Sequence, residues 1–341
     1  MKIQRNKVFR MYLVFPLTAV LLAGCGTQTP DASTADPSEE PIIEATPDPE
    51  TERQARIDDA LHSETIRKYT QDISNGTDAE TYIKRGDEYL KIAIQEDYYD
   101  GYVFAFQDYV VACSLSGDLS DHVDKIVAIY DVKAQHAYEE GNLEDYEGFL
   151  VRANNLSPSQ ERYSLITKAR KELFLQDANK ELRTDYHDLD EELTSYAISK
   201  MDENGLRCEL STYTADDKLV DTYTGYEYDE HGNCLKSATF NETTLKFEDE
   251  RVESFTEEGV QVDTKFYKLG TDSFLGSQVN IYDDLGRFAG IRYIDGTTGE
   301  DSGSLIYRYD ENDQYIAYDV YYPSGELRYH EDIVQEDSSN E

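Results

Sequence analysis

The sequence predicts an α+β protein in two domains, with antiparallel helical hairpins followed by an antiparallel β-meander. In the first half, apolar and small residues recur at helical spacing, as at Tyr82, Gly86 and Tyr89 on one helix face. In the second half, apolar and polar residues alternate between frequent turn signals, which is typical of strands. This change of period predicts a helical domain at 53–190 and a β domain at 191–333.

The N-terminus predicts export and lipidation. Basic residues precede an apolar run that is too short to span a bilayer. The run ends in Leu22-Ala23-Gly24-Cys25, which resembles the lipobox of bacterial lipoproteins. The resemblance implies that residues 1–24 are a signal peptide and that Cys25 becomes the lipid-bearing N-terminus. An ordinary signal peptide with a chance cysteine is the alternative.

Attachment through Cys25 would place the protein on the extracytoplasmic face of a cell membrane. One short acyl chain holds a protein only marginally, whereas two or more hold it stably. The lipoprotein modification supplies at least two acyl chains, such as palmitate. Residues 25–52 are rich in Pro, Thr, Ser and acidic side chains, which predicts a disordered linker with a mean reach of about 30 Å. Residues 334–341 predict a disordered acidic tail.

The excess of acidic residues restricts the kinds of partner that the protein would attract. The chain has 32 basic and 71 acidic residues, a net charge of −39. Residues 1–24 hold four basic and no acidic residues, so removing them leaves 28 against 71, a net charge of −43. Such a surface repels nucleic acid and anionic lipid headgroups and favours small cations and basic partners. Solubility alone is the simpler explanation of the same charge.

The helical domain resembles tetratricopeptide repeats. Residues 127–160 match their length of about 34 residues, and the matching positions are Tyr130, Ala134, Gly141, Ala153 and Pro158. Residues 79–118 match with an insertion around Asp97–Gly101, where we expect a helix to break, and a last helix at about 159–183 would cap the stack. The resemblance implies a concave peptide-binding groove but assigns no residue to it. An unrelated antiparallel helical bundle is the alternative.

The second half contains an internal repeat of 27 residues. Its turn positions are Gly205, Gly232, Gly259, Gly286 and Asp313. Three residues before them stand Asp202, Asp229, Thr256, Asp283 and Asp310. Asp opens a turn by bonding to its own backbone and Gly supplies a positive φ, so each unit predicts a tight turn. Weaker turn signals lie between these turns, and together they predict about ten strands.

Two of the repeat units resemble known β-repeats. The segments 228–232 (Tyr-Asp-Glu-His-Gly) and 309–312 (Tyr-Asp-Glu-Asn) resemble the YD repeats of Rhs-type bacterial surface proteins. The segment 322–327 (Tyr-Pro-Ser-Gly-Glu-Leu) resembles the related MORN-type hairpin repeat. Thr256 and Asp313 depart from the pattern. The resemblance implies extended sheets that act as shells, spacers or binding surfaces and that are not catalytic in themselves.

The tyrosines of the β domain are the candidate ligand contacts. Tyr226 and Tyr228 would share one sheet face, as would Tyr307 and Tyr309, and such faces stack on sugar rings or grip peptides. The alternative is cross-strand packing within the sheet. A similar choice, between Ca²⁺ binding and turn formation alone, holds for the turn acids Asp202, Asp229, Asp283 and Asp310.

The sequence contains few other residues or motifs that suggest a reactive or metal-binding site. Cys113 lies in an apolar helix segment, which predicts a buried free thiol, while Cys208 and Cys234 lie in neighbouring β units where a disulfide is an alternative to two free thiols. No metal-ligand spacing, Gly-x-Ser-x-Gly motif or phosphate loop occurs in the sequence. The sequence therefore predicts a protein that is not an enzyme and needs no metal or cofactor.

These patterns predict a non-catalytic binding or scaffold protein, lipid-anchored in the bacterial cell envelope. Its partners would be the membrane, through the lipid on Cys25, and a protein, peptide or glycan ligand, with no nucleic acid. One alternative is an immunity-like protein that neutralises a basic toxin. Another is an envelope glycan hydrolase, which would need two carboxylates at a set separation.

Overall fold

The computed structural model describes residues 48–76, 78–115, 117–187, 192–241, 243–310 and 313–333. The predicted signal peptide, Cys25, the linker as far as Pro47 and the tail at 334–341 lie outside the described residues. From Asp48 onward the chain clusters into one compact unit, which contains both helices and sheets. Within the described ranges, no helix has the length and apolar character that crossing a membrane requires.

The first half of the described chain is helical, as the sequence predicts. Its α-helices are α1 (Pro49–Leu61), α2 (Glu64–Asn75), α3 (Ala79–Glu96), α4 (Tyr99–Ser114), α5 (Val123–Glu139), α6 (Leu143–Leu156) and α7 (Gln160–Leu175). A 3₁₀ turn at Ser120–His122 precedes α5. The side chains that cap helices α2, α3, α6 and α7 belong to Ser63, Asp78, Asn142 and Ser159. Each accepts a backbone N–H of the first helical turn, so these starts are set locally.

Three helix limits differ from the prediction. α1 begins at Pro49, inside the predicted linker, because Pro is favoured in the first helical turn. The break after α3 is shorter than expected: Asp97 adopts the left-handed conformation (φ 50°) and α4 already includes Gly101. A Cβ at Gly101 would lie 2.8 Å from the Cβ of Ala93, so this glycine lets α3 and α4 pack closely. The last helix ends at Leu175, well before residue 183.

The helical core lies mainly among α3 to α6. Tyr109 and Tyr130 are fully buried in it, and the hydroxyl of Tyr109 donates to Asp87 at 2.6 Å. Gly86 lies where a Cβ would come 3.1 Å from the Tyr109 ring, so the small residue permits the helix crossing. Ile129 is also fully buried, and burial of a side chain of this size stabilises the fold by about 1.5–3 kcal/mol.

The second half of the described chain consists of strands. They are β1 (Glu181–His187), β2 (Leu193–Met201), β3 (Arg207–Thr214), β4 (Leu219–Tyr223), β5 (Glu227–Tyr228), β6 (Cys234–Asn241), β7 (Lys246–Phe255), β8 (Gln261–Lys268), β9 (Phe274–Tyr282), β10 (Phe288–Asp295), β11 (Asp301–Tyr309), β12 (Tyr315–Tyr321) and β13 (Leu327–Asp332). The first of these precedes the predicted boundary at 190. It is an edge strand that is exposed along most of its length, so it lacks the apolar alternation that marks a strand in sequence.

The strands form two antiparallel sheets in chain order. The smaller sheet contains β1 to β4 and the larger contains β5 to β13. The chain passes from one sheet to the other at residues 224–226, between β4 and β5. The two sheets are also joined where Thr212 Oγ1 donates to Leu245 O at 2.8 Å and Phe247 N donates to Asp221 Oδ2 at 3.0 Å.

Five hairpin turns stand at the 27-residue positions. They begin at residues 202, 229, 256, 283 and 310 and end at 205, 232, 259, 286 and 313, and we call them the turn row. Their last residues have φ of 77° (Gly205), 80° (Gly232), 78° (Gly259), 68° (Gly286) and 63° (Asp313). Each turn joins two antiparallel strands, β2–β3 first and β11–β12 last. In each sheet, the turns of the row therefore lie at the ends of the strands that they connect.

Candidate functional site

The turn acids are used to build the turns. Asp229 Oδ1 accepts from His231 N at 2.9 Å and from Asn233 N at 2.8 Å. Asp202 and Asp283 each accept from the same two positions of their own turns, and Asp310 accepts from the second of them. Thr256, which replaces Asp in the third turn, accepts with its hydroxyl. These side chains are thus turn caps, and the described residues contain no group of three or more acidic, His or Cys side chains that could hold a metal ion.

The turn row docks on the helices, and the glycines permit this contact. A Cβ at Gly205 would lie 1.6 Å from the carbonyl oxygen of Phe174, and one at Gly286 would lie 2.3 Å from that of Arg152. A Cβ at Gly259 would enter the ring of Tyr163, at 2.1 Å. Glycine at these positions therefore serves both the left-handed turn and the close approach of a helix.

Polar side chains of α5 to α7 bind the turn carbonyls. The Tyr130 hydroxyl donates to Leu285 O at 2.8 Å. Asn154 and Asn155 in α6 donate to Glu258 O at 2.7 Å and to Gly286 O at 3.0 Å. Leu285 itself is fully buried in the helical core. The helices therefore hold the sheet by its turns, with one apolar side chain inserted and the turn carbonyls satisfied.

Asp313 replaces glycine in the fifth turn and joins helix to sheet by charge. Its carboxylate accepts from Arg152 of α6 at 2.5 Å and from Arg287 of the fourth turn at 2.6 Å. Arg287 is 5% exposed and also binds Asp283 at 2.7 Å. Burial alone would raise the pKa of Asp313, but the charges of both arginines and their hydrogen bonds hold it below its ordinary value. Sequence reasoning places Asp313 in the turn but does not reveal this role.

The tyrosines that precede the turns bind to the neighbouring repeat. Tyr228 Oη donates to Arg207 O at 3.0 Å, Tyr282 Oη to Gln261 O at 2.9 Å, and Tyr309 Oη to Phe288 O at 2.7 Å. Each acceptor lies 21 residues before its tyrosine, in the preceding unit. We call these three bonds the tyrosine latches. They give the repeated tyrosine a structural role that the spacing alone does not show.

Removing one latch should destabilise the sheet modestly. Tyr282→Phe should lower the free energy of unfolding by about 0.5–1.5 kcal/mol, because the half-buried carbonyl of Gln261 loses its shorter side-chain hydrogen bond and keeps only the longer one from Asn280, at 3.5 Å. The control is Tyr307→Phe, since the Tyr307 hydroxyl donates no hydrogen bond within the described chain, and this change should be close to neutral. Urea unfolding measures both, and equal costs would contradict the latch.

The four candidate ligand tyrosines do not form one site. Tyr226 lies outside the strands, with its ring against Tyr223 at 5.0 Å between centroids. Tyr228 is in β5, at one end of the larger sheet, whereas Tyr307 and Tyr309 are in β11, near the other end. The structure brings Tyr307 and Tyr309 together on one face, since both rings contact that of Tyr315, at 4.9 and 6.1 Å. Tyr226 and Tyr228 both lie beside Arg207.

A continuous aromatic surface surrounds that second pair. Strand register and ring contacts place eight rings on one face of β9 to β13, and we call them the tyrosine face: Tyr282, Phe288, Tyr293, Tyr307, Tyr309, Tyr315, Tyr318 and Tyr329. Phe288 and Tyr329 are the most open, 37% and 46% exposed. No helix or second sheet packs broadly on this face within the described ranges. The tyrosine face is therefore an open surface of mostly half-buried rings.

The opposite face of the same strands carries an ionic cluster that sequence reasoning missed. Asp319 is 1% exposed in β12. It accepts from Arg308 Nε of β11 at 2.6 Å and lies 2.6 Å from His330 Nδ1 of β13. Hydrogen bonds from the His330 ring to the carboxylates of Asp319 and Asp332 raise the pKa of His330. Arg308, Asp319 and His330 are spaced 11 residues apart, and this regular spacing is a sign of the cluster that the sequence offers. The cluster ties three strands together.

The three cysteines of the described chain are free thiols. Cys208 and Cys234 lie near different backbone carbonyls, those of Lys200 and Lys236, each at 3.3 Å from the sulfur. Cys113 is half-buried, and burial raises its pKa to about 11. Burial also raises the pKa of Cys234, so neither Cys113 nor Cys234 has the environment of an activated nucleophile, which needs a lowered pKa.

Comparisons with known proteins leave the family open. No known family and no curated protein matches the chain. Among solved structures, a Tc holotoxin pore of Photorhabdus luminescens is similar over 43% of this chain and 9% of its own, at 12% identity and a TM-score of 0.23. A TcdB2-TccC3-Cdc42 complex is similar over 47% of this chain and 10% of its own, at 12% identity and a TM-score of 0.23.

A third similar structure is a protein of unknown function from Bacteroides fragilis. It matches over 47% of this chain and 95% of its own, at 18% identity and a TM-score of 0.13. The chain spans about a tenth of the length of the toxin chains it matches. At these TM-scores the matches say nothing about what this chain binds.

Proposed function

We propose that the protein is a lipid-anchored, extracytoplasmic binding protein of the bacterial cell envelope, without catalytic activity, and that the tyrosine face is its ligand surface. In this proposal the helices are tetratricopeptide-like hairpins and the sheets are YD- or MORN-like repeats. The helical domain would end at Leu175 and the β domain would begin at Glu181. The ligand would be a peptide or a glycan.

The openness of the tyrosine face supports this proposal most directly. Rings that serve only to pack are normally covered, whereas Phe288 and Tyr329 remain substantially exposed beside six further rings. Tyrosine offers a large, stiff contact area at a low entropy cost, which suits peptides and sugar rings alike. The rigidity of the surface is also favourable, because Tyr282 and Tyr309 are fixed by their latches and lose little freedom on binding.

Capture of a ligand by the full-length protein tests the proposal. Arrays of envelope glycans and of peptides should identify a ligand, and Phe288→Ala and Tyr329→Ala should each weaken it about tenfold or more, as aromatic anchors do. Leu165→Ala, which removes an equally exposed apolar side chain from α7, should leave binding unchanged. If no ligand is captured, or if all three variants bind alike, the tyrosine face is not the binding surface.

The membrane anchor is tested separately. Mass spectrometry of the mature protein should show an N-terminal Cys25 with at least two acyl chains, because stable anchoring needs two. Cys25→Ser should release the protein from the membrane fraction. An intact leader, or cleavage elsewhere with an unmodified Cys25, would contradict the anchor without affecting the ligand surface.

A further inference from the structure

A depression of about 540 Å³ opens where α7 meets the second and third turns. Its lining includes Tyr163, Asp229, Glu230, His231 and Glu257. The volume lies within the range of pockets that hold small organic groups, about 300–1,000 Å³. The site is distinct from the tyrosine face, which lies on β9 to β13.

The walls of the depression are held by a buried network. Asn233, which is 4% exposed, donates to the Tyr163 hydroxyl at 2.6 Å and to Asp229 Oδ2 at 2.7 Å, and accepts from Arg170 at 2.7 Å. The His231 ring lies against the Tyr163 ring, with 4.4 Å between centroids, and its Nδ1 is 3.1 Å from the Thr167 hydroxyl. The aromatic wall is thus pre-formed.

The charges that face the depression are one-sided. Asp229 is committed to its own turn, but the side chains of Glu230 and Glu257 are exposed at the rim. No Lys or Arg lines the space, and the guanidinium of nearby Arg170 is held by Glu147 at 2.7 Å and by Asn233. Glu230 Oε1 lies 3.9 Å from the imidazole Nε2 of His231, and the lining offers neither Glu230 nor Glu257 a Lys or Arg to pair with. Two exposed carboxylates therefore stand beside aromatic rings.

We propose that this depression binds the guanidinium group of an arginine side chain presented by a basic peptide. A planar guanidinium stacks on aromatic and imidazole rings and pairs with carboxylates at the same time. An anion would meet two carboxylates here, and a neutral sugar would gain nothing from their charge. The net charge of −39 adds a long-range attraction for a basic partner.

The test is a titration of the full-length protein with a short capped peptide that contains arginine, at about 0.15 M ionic strength, where the attraction between distant exposed charges is largely screened. The same peptide with citrulline removes the charge but keeps the shape. The Glu230→Gln/Glu257→Gln variant should bind the arginine peptide about tenfold more weakly than the wild type does. The wild type should bind the citrulline peptide about tenfold more weakly than the arginine peptide. Both substituted residues are exposed, so the fold should be retained.

The control variant, Glu203→Gln/Glu300→Gln, removes the same charge at exposed positions, and Glu203 is the equivalent of Glu230 in the first turn. It should change the affinity less than about twofold, which separates the site from general attraction. Equal losses in the two variants, or equal binding of arginine and citrulline peptides, would overturn the proposal. Tighter binding of free spermidine than of the arginine peptide would overturn the assignment to an arginine side chain.

Discussion

Gly286→Ala should lower the free energy of unfolding by about 2–6 kcal/mol. Two costs add at this position. The residue has φ of 68°, where a side chain costs about 1–3 kcal/mol. The added Cβ would also lie 2.3 Å from the Arg152 carbonyl oxygen and 2.9 Å from Leu156, which forces the turn off the helix, and such overpacking costs about 1–3 kcal/mol more.

Gly299→Ala separates the two costs. Gly299 has nearly the same φ, 72°, but lies in the turn at the other end of β10, where an added Cβ meets nothing within 4 Å. It should show the backbone cost alone, about 1–3 kcal/mol. Urea unfolding of the full-length variants gives both values. If Gly286→Ala costs no more than Gly299→Ala, the docking of the turn row contributes nothing to the stability of the fold.

The turn glycines show which features of the fold can be predicted from the sequence and which cannot. Their spacing predicts tight turns, because Gly and Asp have local conformational preferences that any observer of the sequence can use. It does not show that Phe174, Tyr163 and Arg152 approach them, since these contacts join residues far apart in the chain. The prediction therefore finds the turns but attributes the glycines to φ alone, and it misses half of their role.

Helix α7 contacts three of the five turns of the row. Its residues Tyr163 and Phe174 contact the third turn and the first two turns of the row, respectively. Eleven residues of helix rise about 16 Å. One helix thus reaches three successive turns of the row. These contacts are a property of the assembled structure, and no local pattern in the sequence reports them.

The tyrosines mark a second limit of sequence reasoning. Alternation places a tyrosine on a face, and for Tyr307 and Tyr309 that placement agrees with the ring contacts. It does not apply to Tyr226, because the chain leaves the sheet at residues 224–226 to pass from one sheet to the other. The acceptor of each latch lies in the preceding unit, so it becomes visible only when the strand register is known.

Asp313→Asn should destabilise the protein by about 3 kcal/mol or more at neutral pH, because it leaves two largely buried guanidinium groups short of a counter-charge. Asn is chosen since it tolerates the left-handed conformation of this residue, φ 63°, so the change isolates the charge. The exposed Glu300→Gln is the control and should change stability by less than about 0.5 kcal/mol.

The loss should depend on pH in one direction. The pKa of Asp313 is lower in the folded protein than in the unfolded chain, so its ionised form stabilises the fold at pH values above the ordinary range of Asp, about 4. As the pH falls through that range and below it, the unfolded chain binds the proton first and the stabilisation is lost. The difference in urea midpoint between the wild type and Asp313→Asn should therefore be largest near pH 7 and shrink towards about pH 3. A difference that is constant with pH, or that grows in acid, would show that the carboxylate does not bind Arg152 and Arg287 as a charge.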